Sequence, residues 1–184
     1  MAFIPPNWFT GMIIYGLIYI LPILLGVSII ITSLIKNFNM KMLAIGIIIC
    51  FISVVCSSYI THEMFEIPSV QEEIITVQGW QPKPNIQINE NGMMVINSAD
   101  DLMLITKDGK SFLNEENFWF QKFNTRDIFN DLKVNGTYKI KYYGWREGFN
   151  NGFPNILSIE EVIDENNTSS NNYDKYFGNQ VVVN

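Results

Sequence analysis

The residues best suited to recognition chemistry lie late in the chain. Gly144-Trp145-Arg146 opens a stretch that runs through Phe149 to Phe153, with Tyr143 just before it and Trp80 far upstream. Aromatic rings offer flat apolar faces with polar edges, and arginine beside an aromatic is a frequent pairing at interface hot spots. Trp145, Arg146, Phe149, Phe153, Tyr143 and Trp80 therefore form the candidate binding rim, suited to a peptide or a sugar. The competing reading stays open: Trp145 and the two phenylalanines close the end of a barrel, with Arg146 solvated. Trp119, inside Phe118-Trp119-Phe120, is expected in a buried strand.

Catalytic chemistry has little to work with. Acid pairs occur at Glu72-Glu73, Asp100-Asp101, Glu115-Glu116 and Glu160-Glu161. Neighbours on a strand point to opposite faces, so such pairs should not share a proton as a dyad does. No nucleophile elbow, phosphate-binding loop or zinc helix is present. The single histidine, His62, follows a long apolar run, and both cysteines, Cys50 and Cys56, lie inside that run. A zinc site is not expected, nor a disulfide in the later part of the chain. The sequence predicts no enzyme, no metal and no cofactor.

The elements that must position the rim begin with two apolar runs, Met12–Ile35 and Met42–Tyr59, neither with a charged residue. Each is long enough to cross a bilayer core. Backbone groups in lipid must be paired internally, so both should be helical. Pro22 removes one helix hydrogen bond and should bend the first helix. Gly16 and Gly26 flank it; close packing by the second helix is one reading of them, and the favoured one is that they are ordinary tolerated residues of a membrane helix. Without preceding Lys or Arg, the first run makes a poor cleavable signal. Lys36 and Lys41 flank the connection between the runs, which contains no acid, and acidic residues follow the second run. The positive-inside rule then puts the connection in the cytoplasm and both termini outside, in a multi-pass cell-membrane protein.

Charge divides the chain in the same way. All eighteen Asp and Glu follow residue 62, with ten of the twelve Lys and Arg, so the later part carries −8. Nucleic acid is excluded as a partner, because phosphate binding needs basic patches. The expected boundaries are an interfacial arm over 1–11, a helical hairpin over 12–62 with helices at 12–35 and 42–60, a linker over 63–71, a β domain over 72–163, and a flexible Asn/Ser-rich tail over 164–184. Pro68 should stop helical continuation in the linker.

Within the β domain, Ile74–Trp80 is β-branched, Ile86 and Ile88 alternate with polar residues, and Asn91-Gly92 is a turn pair before Met93–Ile96. Leu102–Thr106 and Ser111–Leu113 flank the Asp108-Gly109 turn. A short helix should start at Asn124 or Thr125 and bury Ile128, Phe129 and Leu132. Thr137–Trp145 alternates as a strand, and Ile156–Ile163 closes the domain. Strands, one helix, then two strands is the order of an OB-type barrel, and the rival fold is a small open sheet with one helix packed on it. The stretch Lys133–Val162 is also similar to the last two strands of OB-like domains in small membrane-anchored proteins of unknown function. Gly136-Thr137-Tyr138, Gly144-Trp145-Arg146 and Pro154-Asn155-Ile156 carry the likeness. The resemblance implies a fold and brings no catalytic residues. Asn166, Asn167 and Asn135 each open an N-glycosylation sequon.

The fold class expected is thus membrane-anchored α+β: a two-helix transmembrane hairpin, then a small mainly-β OB-like barrel with one short helix. The expected function is an acidic extracytoplasmic module that binds protein or glycan, with the lipid bilayer and a membrane protein or a second copy as partners. The alternative is an accessory subunit that packs its helices into a larger membrane complex, with the outer domain as a cap.

Overall fold

The computed structural model of the chain describes residues 4–35, 38–83, 98–146, 152–165 and 172. It divides into two compact units, one ending at Ser69 and one beginning at Val70. The first unit contains two helices long and apolar enough to cross a membrane, Phe9–Ile35 and Met40–Ser69. Both outrun the expected limits. Asn7 caps helix α1 (Trp8–Tyr15), its Oδ1 accepting from the Thr10 amide at 2.9 Å, so the arm is already helical at Trp8. Asn39 caps α3 (Met40–Thr61) on the Lys41 and Met42 amides. Pro68 does not stop the second helix at His62. The rod continues as a π turn over His62–Glu66 and a 3-10 turn over Ile67–Ser69. Pro68 sits in that final turn, where a missing amide costs least.

Pro22 leaves a clear trace. A π turn, Gly16–Ile20, separates α1 from α2 (Leu21–Ile35). Proline has no amide to give the carbonyl four residues back, which is Ile18. Ser57 of α3 donates its hydroxyl to that carbonyl at 2.6 Å. The second helix thus satisfies the group that the first cannot. Gly26 and Gly46 face each other at the crossing: a Cβ on Gly26 would lie 3.0 Å from the Gly46 carbonyl, and the reverse distance is the same. Gly26 is therefore a close-packing residue, against the ordinary role expected of it. Gly16 has only Ile20 within 4.0 Å and fits the expectation. Cys50 and Cys56 are free thiols.

The second unit is an antiparallel sheet of five strands in the order β3-β2-β1-β4-β5. The strands are β1 (Gln71–Pro82), β2 (Leu102–Thr106), β3 (Ser111–Phe112), β4 (Thr137–Tyr143) and β5 (Asn155–Asp164), with helix α4 (Thr125–Asp131) between β3 and β4. β1 is shared: its first half pairs with β4 and its second half with β2, with an irregularity between Val77 and Gly79 where it changes partner. The sheet does not close as a continuous ladder. Between its two outer strands there is one parallel bridge, Leu113 to Asn155. The observed architecture is α+β, two apolar helices followed by an open sheet with a helix.

Alternation explains the core. Ile75, Val77 and Trp80 of β1, Leu102 and Leu104 of β2, and Tyr138 and Ile140 of β4 all turn inward and are buried. Ile128 and Phe129 of α4, with Leu132 at its C-cap, pack against them at the expected helical spacing. Gly136 admits the Tyr138 ring, whose Cε2 would lie 2.6 Å from any Cβ there. Two expectations fail. Phe118-Trp119-Phe120 is not a buried strand: it forms a turn between bridged Asn117 and Lys122, and Phe118 is 73 % exposed. The tail is not wholly free either. Asn172 is buried and donates to the Phe129 and Leu132 carbonyls at 2.7 and 2.8 Å, covering the end of α4. The strands expected at Ile86–Asn89 and Met93–Ile96, and the sequons at Asn166 and Asn167, lie outside the described residues.

Candidate functional site

The second unit carries a cavity of about 460 Å³ where several segments meet. The start of β1 supplies Gln71 and Glu73. The β2–β3 turn supplies Gly109 and Lys110, and β3 supplies Ser111 and Phe112. The end of β4 and the chain that follows supply Tyr142, Gly144, Trp145, Arg146, Phe153 and Pro154. Local geometry sets each of these. Gly109 takes a left-handed φ of 83°, closing the turn with its amide on the Thr106 carbonyl at 2.9 Å. The Thr106 hydroxyl donates to Asp108, which holds that carboxyl below its usual range. Gly144, at φ 85°, turns the chain out of β4 and starts the loop toward β5.

The polar groups are arranged in two parts. Lys110 pairs with Glu73, and this contact raises the lysine above its ordinary value; Asp108 lies 3.5 Å away on its other side. The Tyr142 hydroxyl donates to the other Glu73 oxygen at 3.3 Å. Burial, then the Glu73 charge, push the Tyr142 phenol up, so it stays a neutral donor. Arg146 stands apart. Its guanidinium lies 3.8 Å from the centroid of the Phe153 ring, and no described carboxylate pairs with it. This cation–π contact holds the guanidinium on the ring face, and a guanidinium so held keeps N–H donors for an anionic partner. Phe112 and Tyr142 meet edge to face at 5.1 Å and form an apolar wall. This arrangement can hold an anionic group at Arg146 and an apolar body against the rings.

The structure thus brings Trp145, Arg146 and Phe153 of the candidate rim together around one cavity. It places Trp80 elsewhere: the ring is 4 % exposed and packs edge-on against Phe129 at 4.8 Å. Tyr143 points to the other face of β4, where its hydroxyl accepts from Asn117 and Asn155 at 2.8 and 3.1 Å. Phe149 lies outside the described residues. Glu73 and Lys110 were not anticipated, and no local signal marks them, because they come from separate strands. The Glu72-Glu73 pair behaves as strand geometry demands. Glu72 faces Lys139 at 2.6 Å while Glu73 faces Lys110, and Lys139 holds Glu72 below its usual range.

A second polar cluster escaped the sequence reading entirely. Lys122 is 4 % exposed. Its ammonium donates to Asn114 Oδ1 at 2.9 Å, to the Glu115 carbonyl at 2.8 Å and to Asn155 Oδ1 at 3.3 Å. Three neutral oxygens meet three N–H groups. Burial pushes this lysine down to about 8. Asn155 also donates to the Glu115 carbonyl, and Asn114 donates to the Thr125 carbonyl. The cluster ties the turn after β3 to the start of both α4 and β5, which is a structural task. Among the described residues no group of three His, Cys, Asp or Glu could hold a metal ion.

A family model described as Protein of unknown function (DUF1523) matches residues 38–182. No curated protein and no solved structure matches the chain. The match covers most of the chain, from the second apolar helix through the sheet and into the tail, so the chain belongs to this family of uncharacterised function.

Proposed function

We propose that this member of the family is a membrane-anchored binding protein. Its two apolar helices form a transmembrane hairpin, and its acidic sheet domain acts outside the cytoplasm as a small OB-like module for a protein or glycan ligand. The cavity at Arg146 carries the reading. It joins a guanidinium that no described carboxylate pairs, set on an aromatic platform, to an apolar wall, the combination that recognition sites use. The OB-like assignment draws support from strand order, from the helix between β3 and β4, and from the parallel Leu113–Asn155 bridge at the seam where such a barrel closes. The anchor reading is favoured over a subunit reading by the hairpin itself. Gly26, Gly46 and Ser57 are used between the two helices, which leaves a largely apolar face outward, with Ser28, Cys56 and Tyr59 exposed on it.

Mild-detergent purification of full-length protein tests this. Arg146→Ala and Phe153→Ser should remove a stoichiometric partner or ligand. Arg146 is exposed, so its substitution should move the melting temperature by only a few degrees, because exposed substitutions usually cost less than about 0.5 kcal/mol, whereas Phe153 is half-buried. A large fall in stability with no change in what co-purifies would make these residues closure of the domain end and end the binding reading.

A further inference from the structure

The cavity opens where the seam between β3 and β5 stops. At Leu113 the seam is made: the Leu113 amide donates to the Pro154 carbonyl at 2.8 Å, and the Ile156 amide donates to the Leu113 carbonyl at 3.0 Å. Strand groups alternate with period two, so Ser111 directs its backbone toward the same side as Leu113. The other side of β3 agrees. The Thr106 amide donates to the Lys110 carbonyl, which makes Ser111–Ile105 the pair without hydrogen bonds across β2. The next step of a parallel ladder would have residue 154 donate to the Ser111 carbonyl. That residue is Pro154, which has no N–H. No described donor takes its place, and Ser111 and Pro154 both line the cavity.

Ser111, whose carbonyl its own sheet does not satisfy, thus lines the same cavity as Arg146. We infer that the ligand is an extended peptide segment that adds to β3 at Ser111 and presents an acidic side chain to Arg146. The inference rests on the proposed binding role of this cavity and names its partner class. A peptide amide supplies the missing donor, as strand addition does at an exposed sheet edge. A carboxylate complements the Arg146 guanidinium, which has no described counter-charge, and pairs with it bidentately. An apolar residue beside the acid meets Phe112, Tyr142 and Trp145. Proline at position 154 keeps the chain from closing its own seam, so the place for a guest strand is built in.

Fluorescence polarisation with full-length protein in nanodiscs tests this. The probe is a labelled pentapeptide series Gly-X-Asp-Z-Gly, with X and Z drawn from Val, Leu and Phe. Binding by some member is expected. It should weaken at least tenfold when the Asp is replaced by Asn, when the Asp amide is N-methylated, and when the protein carries Arg146→Ala. Arg126→Ala, on the exposed side of α4, should leave it unchanged. Binding indifferent to N-methylation overturns strand addition. A labelled oligogalacturonate serves as the acidic-glycan comparator. If it binds in an Arg146-dependent way while every peptide is silent, the cavity remains a ligand site and the peptide inference fails. Silence of both probes removes the inference and the binding role together.

Discussion

Lys122 is a cation solvated by the protein instead of by water. Desolvation of an ammonium is costly, yet all three of its N–H groups have oxygen partners between 2.8 and 3.3 Å. Removing it would orphan Asn114 Oδ1, at roughly 1–3 kcal/mol while that group stays buried, whereas the Glu115 carbonyl keeps the Asn155 amide and Asn155 Oδ1 keeps the Glu115 N–H. The loss is one orphaned acceptor set against the desolvation relieved with the charge, so Lys122→Met should destabilise the domain by at most about 3 kcal/mol at neutral pH. Denaturant titration measures this. The same group gives a pH signature. Its folded value is pushed down to about 8, while the unfolded chain keeps the ordinary 10.5. Between these values the unfolded state binds more protons, so this lysine's contribution to stability rises with pH, by at most about 1.4 kcal/mol per unit. It is complete above 10.5 and lost as pH falls through about 8. Comparing wild type and Lys122→Met across this window should show the wild type with the more positive slope. Parallel curves would mean that the lysine keeps its ordinary proton affinity. Sequence reading had no access to this residue, because its three acceptors come from positions 114, 115 and 155 and only the fold brings them together.

At the scale of elements, contact between the helices makes two similar glycines different. Gly26→Ala pushes a methyl toward the Gly46 carbonyl at 3.0 Å, on a backbone that cannot yield cheaply. Overpacking of that kind costs about 1–3 kcal/mol. Gly16→Ala meets only the Ile20 side chain, so it should be neutral or gain up to about 1 kcal/mol from reduced backbone entropy. SDS titration of the full-length protein from mixed micelles reads both, and equal effects would mean that the helices do not cross at Gly26. The sequence contains both glycines and Pro22, but not the register of the facing helix, and that register decides their roles. Strands were more legible. β4 alternates cleanly, and the β2–β3 hairpin carries its own Asp-Gly turn, so both lie where the pattern put them. Phe118-Trp119-Phe120 misled because aromatic content marks burial only on average. There the chain reverses through Gln121 at φ 53°, a left-handed position no residue type announced. The cavity was half legible. Trp145, Arg146 and Phe153 fall in one loop after a rigid strand, whereas Glu73 and Lys110 are separated by 37 residues and meet only through strand pairing.

At the scale of the whole chain, the two units call for separate tests. The sheet unit has its own continuous core, and both cysteines belong to the helical unit. A fragment of residues 70–184 should therefore melt cooperatively at a temperature that neither chelator nor reductant shifts. A fragment that stays unfolded would mean that the helices or a partner complete the core. Topology depends on a thinner balance. Two lysines, Lys36 and Lys41, flank the short connection, while the later domain carries −8. Lysine and arginine close to the helix ends bias orientation, whereas acids contribute little and long domains translocate largely regardless of charge. The two lysines therefore carry the whole preference for a cytoplasmic connection. Single cysteines in a background with Cys50→Ala and Cys56→Ala can read this. Asn135 is exposed on a turn of the sheet domain, and Met40 is 63 % exposed at the start of α3. On intact cells an impermeant maleimide should label Asn135→Cys, and should reach Met40→Cys only after permeabilisation. Because the bias rests on so little charge, replacing Lys36 and Lys41 with Gln should leave a mixed population, with Asn135→Cys only partly accessible. Labelling of Met40→Cys on intact cells, with Asn135→Cys protected, would invert the protein and move its acidic domain and the Arg146 cavity into the cytoplasm.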